Sequence, residues 1–267
     1  MSSATNPEGP LTWDEPPGLA PRGTIVVLPG RGEQPGLYER FARRLAADAY
    51  RVRVVGDATA DVDAVGVGVK ALVEEADRPV PVVLVGSDTG ALLALRLVAL
   101  GSVTVDGLVL AGLPDPDRDT AVAAEAEPEL RASCPTHQEL LRDTERGLFE
   151  AGALTGERIS EVLREPVDPA AVTVPVLGLH GANDQVSPLD AVTAQYAGLA
   201  AAELLGVEDG RHDVLNAAHH RSVAASVVLW LERLRLGTAS GTASGTASGT
   251  ELPPVVARVV AAGAGPA

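Results

Sequence analysis

The sequence predicts an α/β fold built on a mostly parallel sheet with helices on both faces. Short apolar runs rich in valine recur at 24–28, 52–55, 80–85, 107–111, 174–179 and 202–207, each bounded by turn residues. This is the pattern of strands buried on both faces. Segments of helical period separate them, and strand alternating with helix gives a parallel sheet between two helical layers. With 46% hydrophobic but only 3% aromatic residues, the core has to be packed from Val, Leu and Ala. The 267 residues suffice for one large domain.

Residues 1–22 are rich in Pro and Gly and are expected to form an irregular arm, with the domain itself spanning 23–236. After the strand at 24–28, Leu37, Phe41 and Leu45 share one face of a helix. The strand at 52–55 runs through VVGDATADVDAV into a second helix. VVLVGSDTGALLALRL, residues 82–97, begins as a strand, turns through two glycines and continues as an apolar helix. Beyond the strand at 107–111 the rhythm breaks. Residues 114–171 carry no strand signal but several helical stretches, among them TAVAAEAEPELRAS and THQELLRDTERGLFEAG. An insertion of that length lies over the strand C-termini, where open α/β sheets bind ligands, so a small helical cap is expected there. The alternation resumes at 174–179 and 202–207, and Val223, Val227, Trp230, Leu231 and Leu234 fall on one face of a closing helix. From 237 to 250 the repeat GTASGTASGTASGT, followed by ELPPVVARVVAAGAGPA, has too little apolar surface to offset ordering entropy. Residues 237–267 are therefore expected to be a flexible, low-complexity tail.

A formal net charge of −15 argues against nucleic acid and against an anionic membrane surface as partners, and favours a neutral or cationic small molecule. Cys134 is the only cysteine, so no internal disulfide or thiolate metal site can form; no metal or cofactor is expected, and a reducing, cytoplasmic setting fits. The N-terminus has neither the basic nor the apolar region of a secretory signal. No stretch approaches the ~18 uninterrupted apolar residues of a spanning helix. The oligomeric state is left open.

Gly86, Ser87, Asp88, Thr89 and Gly90 match the G-x-S-x-G frame of a nucleophile elbow except at its centre, where aspartate stands for serine. The turn needs small residues two before and two after the nucleophile, and Gly86 and Gly90 supply both. It thrusts the Asp88 side chain into the site and aims the backbone N–H of Thr89 at a developing oxyanion. Asp184 follows the strand in VPVLGLHGANDQVSPLDA, where a carboxylate can orient a histidine. His212, in GVEDGRHDVLN, lies between the last strand and the closing helix and is the expected general base. The order nucleophile, acid, histidine is that of α/β-hydrolases, and the expected architecture is an α/β-hydrolase fold with a short helical cap.

Three segments resemble the monoacylglycerol lipases and lysophospholipases. LPGRGEQPGLYERFARRLAADAYRV (28–52) is similar to their H-G-x-G-E-H-S-x-R-Y segment, LHGANDQVSP to their H-G-x-x-D turn, and GRHDVLN with VVLWLERL to their H-x-x-x-N/H segment and closing helix. The resemblance runs from 23 to about 235 and is poorest in the cap. It implies that the N–H of Arg31, with that of Thr89, forms the oxyanion hole, and that Asp184 and His212 complete the triad. The chain departs from that pattern at Pro29, which replaces the first histidine, in lacking the G-H-G-x-S segment, and above all at Asp88. Ser87 is no simple substitute, because one residue earlier the side chain leaves the strand toward the other face.

A carboxylate attacks saturated carbon to give an ester that a His-activated water hydrolyses, as in the haloalkane dehalogenases and epoxide hydrolases of this fold. Their accessory residues are missing: Thr89 stands where dehalogenases have tryptophan, and Tyr38, Tyr50 and Tyr196 all lie outside the cap. Toward an ester, attack by Asp88 gives a reactive mixed anhydride; Asp88 can instead act as a base on water, or hold His212 as an imidazolium, which suits proton transfer or lactone opening. The leading expectation is hydrolysis of a small, largely apolar ester, lactone or related electrophile through Asp88, His212 and Asp184. The alternative is a non-hydrolytic or inactive member of the fold, serving as a binding module or proton-transfer catalyst. Ser87, Cys134 and His137 are candidates to line the pocket, although Cys134 reads first as a buried structural thiol. His180 reads as a turn-stabilising residue, Asp213 as a helix-start carboxylate, and His219 and His220 as surface residues.

Overall fold

A computed structural model describes residues 9–116, 118, 122–154 and 159–239. The six valine-rich runs become β2 (Gly23–Leu28), β3 (Tyr50–Val54), β4 (Val82–Ser87), β5 (Gly107–Ala111), β6 (Val176–Gly181) and β7 (Ala202–Val207). A further strand, β1 (Leu11–Trp13), lies in the arm expected to be irregular. The sheet order is β1-β3-β2-β4-β5-β6-β7, with β1 antiparallel to β3 and every other pair parallel. Only three residues long and largely exposed, β1 has no apolar alternation to betray it. Pairing with the next strand and the ion pairs Arg51–Glu15 and Arg53–Asp14 hold it on the edge.

Alternation along each strand sorts the side chains into two cores. Ile25, Val27, Val83, Val85, Leu177 and Leu179 pack beneath α1 (Glu39–Ala47) and α8 (His220–Ala239), meeting Phe41, Leu45, Val227, Trp230 and Leu231. Val26, Leu28, Leu84, Leu108 and Leu110 face the opposite way, toward α2 (Val62–Val73), α3 (Thr89–Ala99) and α7 (Leu189–Ala197). Each fully buried Val or Leu contributes about 1.5–3 kcal/mol, so these strands are stabilised from both sides. Helix α8 runs three residues past the expected end of the domain; the rest of the 237–267 segment lies outside the described residues.

Between β5 and β6 the chain forms α4 (Glu127–Arg131), α5 (Pro135–Arg142) and α6 (Glu161–Arg164). Pro128 and Pro135 sit in the first turns of the first two, where a missing N–H costs nothing. A bridge between Glu33 and Phe149 ties this region to the loop after β2. Among the described residues no helix is long and apolar enough to cross a membrane.

Candidate active site

Asp88 joins β4 to α3 at φ 49° and ψ −121°, a backbone state that costs a non-glycine residue of order 1–3 kcal/mol. The neighbouring glycines are required by contact. A Cβ on Gly86 would lie 2.4 Å from Ala91 Cα, and one on Gly90 would lie 2.2 Å from the Leu28 carbonyl oxygen. This is the strand-turn-helix geometry of an elbow. The Asp88 side chain makes no capping bond to α3, so local helix chemistry does not account for the aspartate.

The carboxylate is instead saturated from outside its own segment. Oδ2 accepts from the backbone N–H of Arg31 at 3.0 Å and from its Nε at 2.8 Å, while Oδ1 accepts from Arg31 Nη2 at 2.9 Å and lies 3.1 Å from His212 Nε2. Four bonds take up all the lone-pair directions of a carboxylate. Asp88 and Arg31 are 1% and 2% exposed. Burial disfavours the ionised carboxyl, but the Arg31 guanidinium and His212 overcome it and hold Asp88 well below the usual carboxylate range. The Arg31 N–H expected to face an oxyanion is thus occupied by Asp88 itself. Thr89, whose N–H is the other expected donor, opens α3 and is fully buried.

On its far side, His212 Nδ1 lies 2.8 Å from Asp184 Oδ2. Asp184 is oriented by the N–H groups of Val186 and Ser187, at 2.9 and 3.0 Å, and by His180, whose Nε2 lies 3.2 Å from Oδ2 and donates to the Ser187 carbonyl at 2.6 Å. His180 therefore does stabilise this turn. Burial opposes the charged imidazole, yet the two flanking carboxylates raise the His212 pKa to about 9. Held between two carboxylates, the ring is biased toward the imidazolium, the proton-holding role named above beside that of general base.

A second buried cluster adjoins the first. Arg131 of α4 donates to Glu33 Oε1 at 2.9 Å, to Glu127 Oε1 at 3.0 and 3.1 Å and to the Arg31 carbonyl at 2.8 Å, with its guanidinium 4.8 Å from the Phe149 ring centroid. Glu33 also accepts from the Tyr38 hydroxyl and from the Gly30 N–H. Burial, with repulsion from Asp213, pushes the Glu33 pKa up to about 7. Sequence reasoning missed Arg131, Glu127 and Glu33: on a short helix, Glu and Arg four apart read as a solvated surface pair.

The remaining candidates separate. His137 is buried, but its Nε2 lies 2.6 Å from Asp213 Oδ2, so its imidazole is paired with that carboxylate through a hydrogen bond. Asp213, expected as a helix-start carboxylate, makes no cap bond and serves that pair. Ser87 is buried. Cys134 is half-buried ahead of α5, not fully buried as a structural thiol would be. His219 is exposed and His220 half-buried. A groove of about 530 Å³ lined by Leu19, Arg22, Ala49, Val228 and Glu232 lies apart from all of these.

A largely parallel seven-stranded sheet, an elbow after β4, a carboxylate after β6 and a histidine after β7 define the α/β-hydrolase fold, and this chain has it. The comparisons with solved structures agree. The monoacylglycerol lipase of Paleococcus ferrophilus superposes with a TM-score of 0.69 at 17% identity, over 84% of this chain and 98% of that one. A soluble variant of the Saccharomyces cerevisiae monoglyceride lipase gives 0.68 at 14% identity over 84% and 90%, and MenH from S. aureus 0.63 at 13% over 85% and 99%. No protein-family model and no curated protein matches the sequence.

Proposed function

We propose that the protein is a hydrolase of small, largely apolar esters or lactones that works through Asp88, His212 and Asp184. The observation that carries this reading is the line Asp88 Oδ1, His212 Nε2, His212 Nδ1 and Asp184 Oδ2, with separations of 3.1 and 2.8 Å, at the C-terminal edge of the sheet. The lipases among the similar structures support the class of reaction. A lone cysteine and a charge of −15 are in keeping with a cytoplasmic protein and an uncharged small-molecule substrate.

In this reading Asp88 does not imitate serine. With Arg31 Nη2 drawn off Oδ1, a water takes its place, and Asp88 accepts one of its protons as the oxygen adds to the carbonyl carbon. The oxyanion is held by Arg31 and the Thr89 N–H. His212 then gives its Nε2 proton to the departing alkoxide, and the proton on Asp88 returns to His212 across their contact. Asp184 keeps the ring oriented and charged.

Turnover of short esters and lactones is expected to be lost in Asp88→Asn and in His212→Ala; unchanged turnover in Asp88→Asn would overturn the reading. Peptide mass spectrometry of His212→Ala after incubation with substrate separates base from nucleophile, since an adduct on the Asp88 peptide means attack on carbon. One observation favours a second reading, a non-catalytic binding module: all four acceptor directions of Asp88 are occupied in a site only 1–2% exposed. That reading requires ligand-dependent thermal stabilisation with no turnover of esters, lactones, epoxides or haloalkanes.

A further inference from the structure

Arg131, in the cap, reaches both loops carrying the site. Its side chain donates to the carbonyl of residue 31 at 2.8 Å, while the N–H of that same residue donates to Asp88 at 3.0 Å. Residue 31 is thus held from both ends. The backbone carbonyl of Arg131 accepts the N–H of Asp213 at 2.7 Å, directly after His212. The loop after β2 and the loop after β7 are not neighbours in the sheet, and α4 bridges them from above.

We propose that Arg131 is a positioning residue that keeps the Arg31 loop and the His212 loop in register. The proposal goes beyond the hydrolase reading, because the brace acts on the geometry of Asp88 and His212 whatever reaction they perform. Stability alone does not explain such an arginine. A buried cation between two carboxylates is commonly replaced by apolar side chains without loss, and a helix facing a core has no shortage of apolar solutions. What the planar fork supplies is reach. One guanidinium contacts Glu33, Glu127 and the Arg31 carbonyl at once, at 0% exposure.

The groups that face this cation are Glu33 from the loop after β2, Glu127 on its own helix and, at longer range, Asp88 at the elbow and Asp213 beside His212. Removing Arg131 together with the charge of Glu33 leaves the net charge unchanged, so a change at His212 reports geometry. Removal of the cation alone would by Coulomb's law raise the affinity of His212 for its proton, whereas loss of the Asp88 contact lowers it.

The test is an NMR titration of the full chain labelled at its five histidines, with His212 assigned through His212→Gln. In the wild type His212 is expected to titrate at about 9. In Arg131→Met with Glu33→Gln, folded by circular dichroism, the midpoint is expected to fall by about one pH unit or more, a tenfold loss of proton affinity. Glu33→Gln alone, which removes an anion, is expected to lower it by less than the double variant does. A folded double variant titrating as the wild type would overturn the proposal and leave Arg131 with a packing role. Should the double variant not fold, Arg131→Lys decides: an ammonium keeps the charge but not the fork, and is expected to lower the midpoint in the same direction. A lysine variant titrating as the wild type overturns the brace. Neither readout requires turnover, so failure of the hydrolase reading remains a separate result.

Discussion

Arg31 clasps Asp88 with both its side chain and its backbone, through contacts of 2.8, 2.9 and 3.0 Å in a site closed to solvent. Breaking one partner of a buried pair leaves the other uncompensated, which costs about 3–5 kcal/mol. Arg31→Met is therefore expected to lose that much stability in urea unfolding. Arg31→Met combined with Asp88→Asn is expected to recover most of it. If both lose the same amount, the arginine contributes packing and the charge pair is not what stabilises the elbow.

The pH dependence of stability follows from three kinds of group. Asp88 and Asp184 are lowered from 3.8, so their contribution is present above that value and lost as pH falls through their lower folded values. Glu33 moves from 4.5 to about 7, so the unfolded chain releases this proton first and stability falls as pH rises through that window. His212 moves from 6.5 to about 9; its contribution is full below the lower value and lost across the interval. Stability is thus expected to peak on the mildly acidic side and to decline toward pH 9, read as a falling urea midpoint. His212→Gln should flatten the decline above neutrality and Glu33→Gln the part below it. A midpoint that rises from pH 5 to 9 contradicts both assignments.

What the sequence made legible follows from where burial is uniform. Strands such as Val82–Ser87, covered on both faces, read directly as valine runs, and Gly86 and Gly90 mark the elbow because no other residue fits against Ala91 and Leu28. Asp184 and His212 were legible from their order and spacing. The strand Leu11–Trp13 was not, because an edge strand of three largely exposed residues carries no periodic signal. Nor was the ionic character of the site. Arg31 was placed for its backbone N–H, and nothing in one dimension says that its guanidinium turns back onto Asp88. Arg131 and Glu127 lie in the cap, where charge reads as surface; their burial depends on long-range pairing with Glu33, and His137, expected at the pocket, turns instead to Asp213.

The glycines give a contrast within one chain. Gly90→Ala places a methyl 2.2 Å from a backbone oxygen that cannot retreat without moving β2, and is expected to cost more than about 4 kcal/mol or to prevent folding. Gly68, within α2, has nothing within 4 Å of the point where a methyl would sit, and Gly68→Ala is expected to stabilise by about 0.5–1 kcal/mol through helix propensity. Thermal unfolding of the two variants reads both effects, and equal effects would contradict the close approach at the elbow.

Replacing Asp88 by serine tests whether the rest of the site is competent for acyl transfer. The substitution removes one of the two carboxylates that keep His212 charged, so the imidazole returns toward its ordinary range and can serve as a base. It also frees the Arg31 N–H, now bonded to Asp88 Oδ2, to meet an oxyanion beside the Thr89 N–H. The serine Oγ would project from the same elbow, toward His212. Asp88→Ser is expected to hydrolyse short p-nitrophenyl esters about 10²-fold or more faster than Asp88→Ser with His212→Ala, the contribution of a positioned base. The obstacle is the Arg31 guanidinium, left without its partner over the new hydroxyl. If Asp88→Ser is folded but silent, Arg31→Ala in the same background is expected to release the activity. Silence in both, with the fold intact, would mean that the two backbone donors do not form an oxyanion hole, and that the aspartate holds together a site that has no serine chemistry to recover.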